Sequence, residues 1–264
     1  MKRPKVSIVT PTYNHAHFIE RTIKSILEQD YPNIEYIVMD GGSKDGTVDI
    51  LKKYPGIIWK SEKDSGQSDA INKGLRRATG DIVAFLNSDD TYEPGAISKV
   101  VEFFGANPDK KWVYGKCRII NDDDVEIRRP ITWYKNMLLK RYSFNKLLSE
   151  NFISQPATFW KRELHKEIGY INEAEHYTMD YEFWLRIGQK YPAGVIDAYL
   201  ANFRMYDTSK SGSLSNPQFK DELRIAKHFN YRHARWPIFL HQINYFKIVW
   251  IYKLMAAIRR RGKK

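Results

Sequence analysis

The chain has 264 residues, 42% hydrophobic, 14% aromatic and 28% charged, the composition of a folded globular protein with enough length for a substantial core. Its formal charge of +12 is unevenly placed: Leu223 to Lys264 holds eleven Lys or Arg and no acid, which leaves 32 bases against 31 acids in residues 1–222. A body so balanced argues against a nucleic-acid-binding face, and the single Cys117 excludes an intrachain disulfide framework or a thiolate zinc cluster, as suits a reducing, cytoplasmic compartment. No apolar stretch of signal-peptide length precedes the first strand pattern, and no segment offers about 18 uninterrupted apolar residues for a membrane span.

In chain order, KVSIVT reads as a buried parallel strand, and HFIERTIKSILEQ sets Phe18, Ile19, Thr22, Ile23, Ile26 and Leu27 on one helical face. IEYIVMD is a second strand and TVDILKKY a short helix. IIWKSE is a third strand, and GQSDAINKGLRRATG is a helix aligning Ile71, Leu75 and Ala78, with Gly80 as its stop signal. DIVAFLN is the fourth strand, followed by a helix with Pro94 in its first turn. Repeated βαβ units of this length imply an α/β fold, a mostly parallel sheet with helices on both faces. Beyond residue 110 the rhythm changes to a mixed α+β half. WVYGKCRII and residues 126–129 read as a strand pair around an Asn121–Asp124 turn, and Trp133 to Leu148 as helical. QPATFWKREL runs from strand into helix, MDYEFWLRIGQKYP is helical and AYLANFRMY returns to strand.

Ligands of open α/β sheets bind beyond the carboxyl ends of the strands, and the polar residues of this sequence collect there. Strand one ends in Thr10-Pro11-Thr12-Tyr13-Asn14, strand two in Asp40-Gly41-Gly42-Ser43, strand three in Glu62-Lys63-Asp64-Ser65 and strand four in Asn87-Ser88-Asp89-Asp90. One such loop is ordinary turn and cap chemistry; four that converge, three of them acidic, point to a site. The glycines of DGGSKDG follow the second strand and not the first, so they do not form a dinucleotide fingerprint, and no Walker-type loop occurs.

PTYNHAHFIERTIKSILEQ, DGGSKDGT, DSGQSDAINKGLRRATGDIVAFLNSDD and MDYEFWLR, in this order over roughly residues 4–210, resemble the inverting nucleotide-sugar glycosyltransferases of family 2, which have the GT-A fold. The resemblance implies that Pro11, Thr12, Tyr13, Asp40 and Asp64 hold the nucleobase and ribose of a nucleoside diphosphate sugar, a UDP-sugar before others. It maps the family's Asp-x-Asp motif onto Asn87, Ser88 and Asp89, with Asp89 as ligand of Mn²⁺ or Mg²⁺ and Asp90 able to share that load. A hard cation there bridges a carboxylate and the diphosphate. Asn87, in place of the first Asp, lowers the negative charge offered. Arg204 is implied as a diphosphate contact from a late loop; where members often have a His just beyond it, this sequence has Tyr206 and Asp207, with Lys210 as the substitute phosphate contact.

Inversion needs one in-line displacement and one general base, and the resemblance places that base at Asp180. The sequence supports it: Asp180, Phe183, Trp184 and Ile187 share a helical face, so the carboxylate starts a helix beside its apolar stripe, where desolvation raises its pKa. Met179 stands where many members have Glu, and Glu182, the alternative base, points off the apolar face. His15 and His17 read as surface or cap residues. The chain divides into a GT-A catalytic domain over 1–215, with a donor half (1–110) and an acceptor half (111–215), and a basic helical tail over 216–264. In the tail, Trp236, Phe239, Leu240, Ile243, Phe246, Trp250 and Leu254 form one stripe, and Arg259 to Lys264 add five charges. That pattern fits a helix on an anionic membrane surface or packed against protein, with a glycan or lipid-linked acceptor in surface polysaccharide or glycolipid synthesis. The rivals are a nucleotidyltransferase, for which PTYNHAHF lacks a Gly-rich basic loop, and a non-catalytic nucleotide-sugar-binding scaffold.

Overall fold

The computed structural model describes residues 3–140, 142–206, 218–230 and 234–247. Its first half keeps the expected alternation: β1 (Val6–Thr12), α1 (Ile19–Leu27), β2 (Ile34–Asp40), α2 (Thr47–Leu51), β3 (Ile58–Ser61), α3 (Gln67–Arg77) and β4 (Ile82–Phe85). The second half adds β5 (Thr91–Tyr92), α4 (Ala96–Ala106), β6 (Trp112–Ile120), α5 (Arg129–Leu139), α6 (Phe144–Ser149), β7 (Thr158–Lys161), α7 (His165–Ile168), α8 (Met179–Gly188), β8 (Gly194–Arg204) and α9 (Gln218–Phe229). A last helix, α10, covers 235–247.

The strands form one sheet of order β3-β2-β1-β4-β7-β6-β8-β5 among the described residues. The first four are mutually parallel, β7 is antiparallel to both β4 and β6, and β8 runs parallel to β6. Successive β1 side chains serve opposite faces, as a period of two requires. Ile8 packs with Ile19, Ile23 and Ile26 of α1 on one side, and Val9 with Ile71 and Leu75 of α3 on the other. Both faces are therefore dry, which is why β1 and β4 are buried along their whole length. Register sets the site: Thr12 pairs with Asp40 and Asp40 with Ser61, so the loops after β1, β2 and β3 leave the sheet at one level.

Five details differ from the sequence reading. Gly80 is not a helix stop in a left-handed turn; a Cβ there would lie 2.7 Å from Ser7 N and 2.8 Å from Lys5 O, so only glycine lets this segment pass β1. Pro94 lies in the turn ahead of α4, whose N-cap is Gly95 at φ +71. The strand pair around 121–124 is reduced to a single bridge between Ile120 and Glu126, since the returning segment turns into α5 at Arg129 after Ile127 N has donated to Ile119 O. The helical stretch after Trp133 is two helices, the second capped by Ser143, whose Oγ accepts from Lys146 N at 3.2 Å. Finally, α8 is not amphipathic: Tyr181, Glu182, Phe183, Trp184, Leu185 and Ile187 are all buried, with Trp184 stacked on Trp112 of β6.

Candidate active site

The loops after β1, β3 and β4 and the second half enclose a cleft of about 1050 Å³, and the loop after β2 lies behind that lining. Pro11, Thr12, Tyr13, Asp64, Asn87, Ser88, Asp89, Asp180 and Arg204 all line it. Asp40 does not, although it lies beneath it.

The first two loops clasp one another. Asn14, a non-glycine at φ +52, donates its backbone N–H to Ser43 Oγ at 2.7 Å and accepts from Lys44 N on its side-chain oxygen at 2.9 Å. Asp40 anchors that clasp from below: its carboxylate accepts from Gly42 N, Ser43 N, Ser43 Oγ and Ser61 Oγ. It is 2% exposed, so it builds the pocket wall and presents no free oxygen edge to the cleft. Above it, a Cβ on Gly41 would come within 2.7 Å of Asp64 Oδ2 and 3.3 Å of a Tyr13 ring carbon. Glycine there lets the exposed Tyr13 ring and the Asp64 carboxylate close on a flat slot, and Gly66 N fixes Asp64 at 2.9 Å.

The loop after β4 is held from three sides. Thr22 Oγ1 of α1 donates to Ser88 O (2.9 Å) and Asp90 O (2.7 Å). Arg204, its side chain fully buried at the end of β8, donates from its backbone to Asp90 Oδ1 and from its guanidinium to Asp89 O, Asn121 O and Asp124. Asp90 is 0% exposed and does not line the cleft, so it shares no cation with a ligand; burial and the neighbouring Asp89 charge hold its carboxyl well above the usual range. Asn87 is bonded on both sides of its amide, accepting from Gln67 Nε2 (2.7 Å) and donating to Asp90 Oδ2 (3.1 Å) and Gln155 Oε1 (3.2 Å). Ser88 Oγ meets His15 Nδ1 at 2.6 Å, which brings His15 into the cleft while its carbonyl caps the start of α1.

That leaves Asp89. Its Oδ2 accepts from Tyr206 at 3.0 Å, and its carboxylate borders the cleft. Among the described residues no group of three or more His, Cys, Asp or Glu is assembled to hold a metal. One cleft-facing carboxylate fits a hard cation completed by ligand phosphates and water, and does not fit an all-protein cage.

Across the cleft, Asp180 is half-buried in the first turn of α8 and receives Tyr181 N on Oδ1 at 2.8 Å. Burial raises its carboxyl above the ordinary range, against the pull of Tyr181 N–H and the Lys135 ammonium. Ser68 of α3 donates to Met179 Sδ at 3.0 Å, tying the start of α8 to α3. Glu182 is no rival: it is 8% exposed, absent from the cleft lining and gripped by Arg186 at 3.0 and 2.7 Å. The sequence reading missed Glu222 of α9, which lines the cleft, accepts from Asn151 and Gln218 at 3.0 Å, and is pushed up to about 7 by burial, with Asp180 adding to the rise. Its i, i+4 pattern with Ala226 marks it only as an unusual acid on a buried face. Lys210 lies outside the described residues.

No helix among the described residues is long and apolar enough to cross a membrane. The family profile described as Glycosyl transferase family 2 matches residues 7–169. An uncharacterised glycosyltransferase of Mycobacterium tuberculosis is 33% identical over 89% of this chain and 86% of its own. TuaG of Bacillus subtilis, a glycosyltransferase provisionally assigned to teichuronic acid biosynthesis, is 43% identical over 38% of this chain and 42% of its own. Two solved structures share the fold at 21% identity: TarS 1–349 of S. aureus with UDP-GlcNAc (TM-score 0.65, 85% of this chain and 66% of that one), and mannosyltransferase PcManGT of Pyrobaculum calidifontis with GDP-Man and Mn²⁺ (TM-score 0.66, 98% and 80%). The chain thus spans just under two thirds of that TarS fragment. The sheet order, the cleft at the strand ends and these neighbours are those of a GT-A glycosyltransferase, and by profile and full-length similarity the chain belongs to glycosyl transferase family 2.

Proposed function

We propose that the protein transfers a hexosyl group from a nucleoside diphosphate sugar to an acceptor hydroxyl with inversion, using Asp180 as the general base and a divalent cation at Asp89. The observation that carries this reading is the placement of Asp180. One half-buried carboxylate with a raised pKa faces the same cleft as the nucleoside loops and Asp89, from the opposite side. The neighbours solved with UDP-GlcNAc and with GDP-Man and Mn²⁺ support the donor and cation classes, with a UDP-sugar taken first.

The roles follow from the contacts. Tyr13 covers the nucleobase in the slot that Gly41 keeps open, with Pro11, Thr12 and Asp64 bordering it; Asp40 shapes that slot from beneath. Asn87 and Ser88 border the ribose and diphosphate, and Arg204 fixes the loop that carries Asp89 instead of meeting the diphosphate itself. A bound Mn²⁺ or Mg²⁺ supplies positive charge to the departing diphosphate. Asp180, ionised, accepts the proton of the acceptor hydroxyl as its oxygen forms the bond to the anomeric carbon. The bond from that carbon to the diphosphate oxygen breaks with its electron pair, and the nucleoside diphosphate leaves on the opposite face. On this reading residues 1–110 are the donor half and 111–215 the acceptor half of the catalytic domain. Residues 216–264 form a tail that rests on an anionic membrane from the cytoplasmic side, where surface polysaccharide or glycolipid acceptors are presented.

Asp180→Asn tests the base. Transfer should fall about 10²- to 10⁴-fold while nucleotide affinity stays within twofold of the parent, measured by product formation and calorimetry on the same preparation. Full transfer by the variant would remove the assignment.

A further inference from the structure

Orphaned polar atoms gather in the cleft. Among the described residues seven buried side-chain nitrogen or oxygen atoms lack a hydrogen-bond partner, and four of them belong to cleft residues: Thr12 Oγ1, Arg128 Nη1, Thr132 Oγ1 and Asn151 Oδ1. An unpartnered buried polar atom has given up its hydration for nothing, so a cluster of them in a cavity is a cost that a ligand's complementary atoms would remove.

Two of the four share one face of α5. Arg128, Thr132 and Lys135 stand at i, i+4 and i+7, and all three line the cleft. Thr132 is 2% exposed. Lys135 is half-buried and has no ion-pair partner among the described residues. Arg128, the N-cap of α5, holds φ +53, a left-handed conformation uncommon for a long side chain and found where a loop is fixed for a purpose. Two cations and a hydroxyl, all donors, thus line one cleft with no acceptor for them among the described residues. No acid among the described residues forms an ion pair with Arg128 or Lys135: Glu150 accepts from Tyr134 at 2.9 Å, and Lys247 of α10 donates to the same Tyr134 hydroxyl at 3.1 Å, adding a third positive charge. Glu222 is buried and hydrogen-bonded to Asn151 and Gln218.

The stripe lies on the base side of the cleft. Lys135 acts electrostatically on Asp180 and on Glu222, whereas the loop of Asp89 is set by Arg204 and Tyr206. We propose that Arg128, Thr132 and Lys135 form a second anion subsite, separate from the donor diphosphate, that recognises a phosphoryl group on the acceptor. The guanidinium offers a planar pair of donors, the ammonium a point charge and the hydroxyl a third donor, a set matched to the tetrahedral oxygens of a phosphate ester. The identification of this wall as the acceptor side rests on the transfer reading above; the binding of a phosphate ester does not.

The test uses the full-length chain, with and without saturating UDP and Mn²⁺, titrated by calorimetry with sn-glycerol 3-phosphate, farnesyl phosphate and, as uncharged controls, glycerol and farnesol. The phosphate esters should bind the UDP-saturated protein and the alcohols should not. Lys135→Gln and Arg128→Gln should each weaken that binding about tenfold or more and leave UDP affinity within twofold, and Thr132→Val should weaken it less. A preference for farnesyl phosphate would assign the subsite to a lipid carrier, and a preference for glycerol phosphate to a polyol phosphate chain. Loss of UDP affinity in Lys135→Gln, or competition between UDP and the esters, would overturn the proposal by giving the stripe to the donor. Absence of ester binding to either form would also overturn it. Absence of UDP binding with ester binding intact would instead count against the donor reading and leave the subsite standing.

Discussion

Asn87 shows how one side chain can be chosen by its neighbours and not by a ligand. Its amide donates to Asp90 Oδ2 and Gln155 Oε1 and accepts from Gln67. A second carboxylate at this position would set an acceptor against two acceptors, next to an Asp90 that is already fully buried. The amide at this position is the group that its neighbours can satisfy, and on the proposed reading Asp89 is the carboxylate left for a cation. Glu222 raises the related question of what a buried acid costs. Its folded carboxyl titrates at about 7, above its ordinary value of 4.5, mainly because it is buried. A raised carboxyl contributes stability that is fully present below the unfolded value and is lost as pH rises through the folded one. Glu222→Gln should therefore be no more stable than the parent at pH 4.5 and more stable at pH 8, by roughly 1–3 kcal/mol in urea unfolding. A stability difference that does not grow between these two pH values would contradict the burial of Glu222.

At the scale of elements, what was legible in the sequence was local. The βαβ alternation declares itself through apolar periods of 2 and 3.6, and the strand-end loops through polar residues that interrupt those runs. Asp89 and Asp180 both fall where the loops and the helix start were expected. Non-local partners were not legible. The hairpin read around Asn121–Asp124 shrank to one bridge, while β6 takes its longer partners from far along the chain, and nothing in WVYGKCRII announces strands some 40 and 80 residues away. Asp40 looked like a ligand contact because its hydrogen-bond partners, Ser43 and Ser61, come together only in the folded loop. Gly80 looked like a conformational stop and is a steric one, since a Cβ would press on the backbone of β1, which cannot yield as a side chain would. Gly80→Ala should accordingly cost at least about 1–3 kcal/mol, seen as a lowered denaturation midpoint with an unchanged slope. A midpoint equal to the parent's would show that the β1–β4 edge gives way more easily than its geometry implies.

Across the whole molecule, the unusual element is α10, which turns its polar side inward. His241 Nδ1 meets Leu148 O at 2.7 Å and Asn244 donates to Ser149 O at 3.1 Å, while Trp236, Phe239, Ile243 and Phe246 remain exposed. The stripe read from the sequence is exposed over 236–246, and the helix packs on the body through His241 and Asn244. Trp250, Leu254 and the bases from Arg259 onward lie outside the described residues. Exposed aromatics at helical spacing beside a cleft wall fit an interfacial helix that brings the acceptor side of the cleft to a membrane. Trp236→Glu with Phe239→Glu and Phe246→Glu should abolish sedimentation with anionic liposomes and leave the melting temperature within a few degrees, because these rings support no core. A parent chain that never sediments with such vesicles would end the membrane reading.

The central claim is that this cleft holds a nucleoside diphosphate through a cation at Asp89. Calorimetric titration of the parent and of Asp89→Ala with UDP, with and without Mn²⁺, tests it most directly. The account predicts that Mn²⁺ tightens UDP binding to the parent by about tenfold or more and does nothing for the variant. Equal affinities with and without the metal in the parent chain would contradict it.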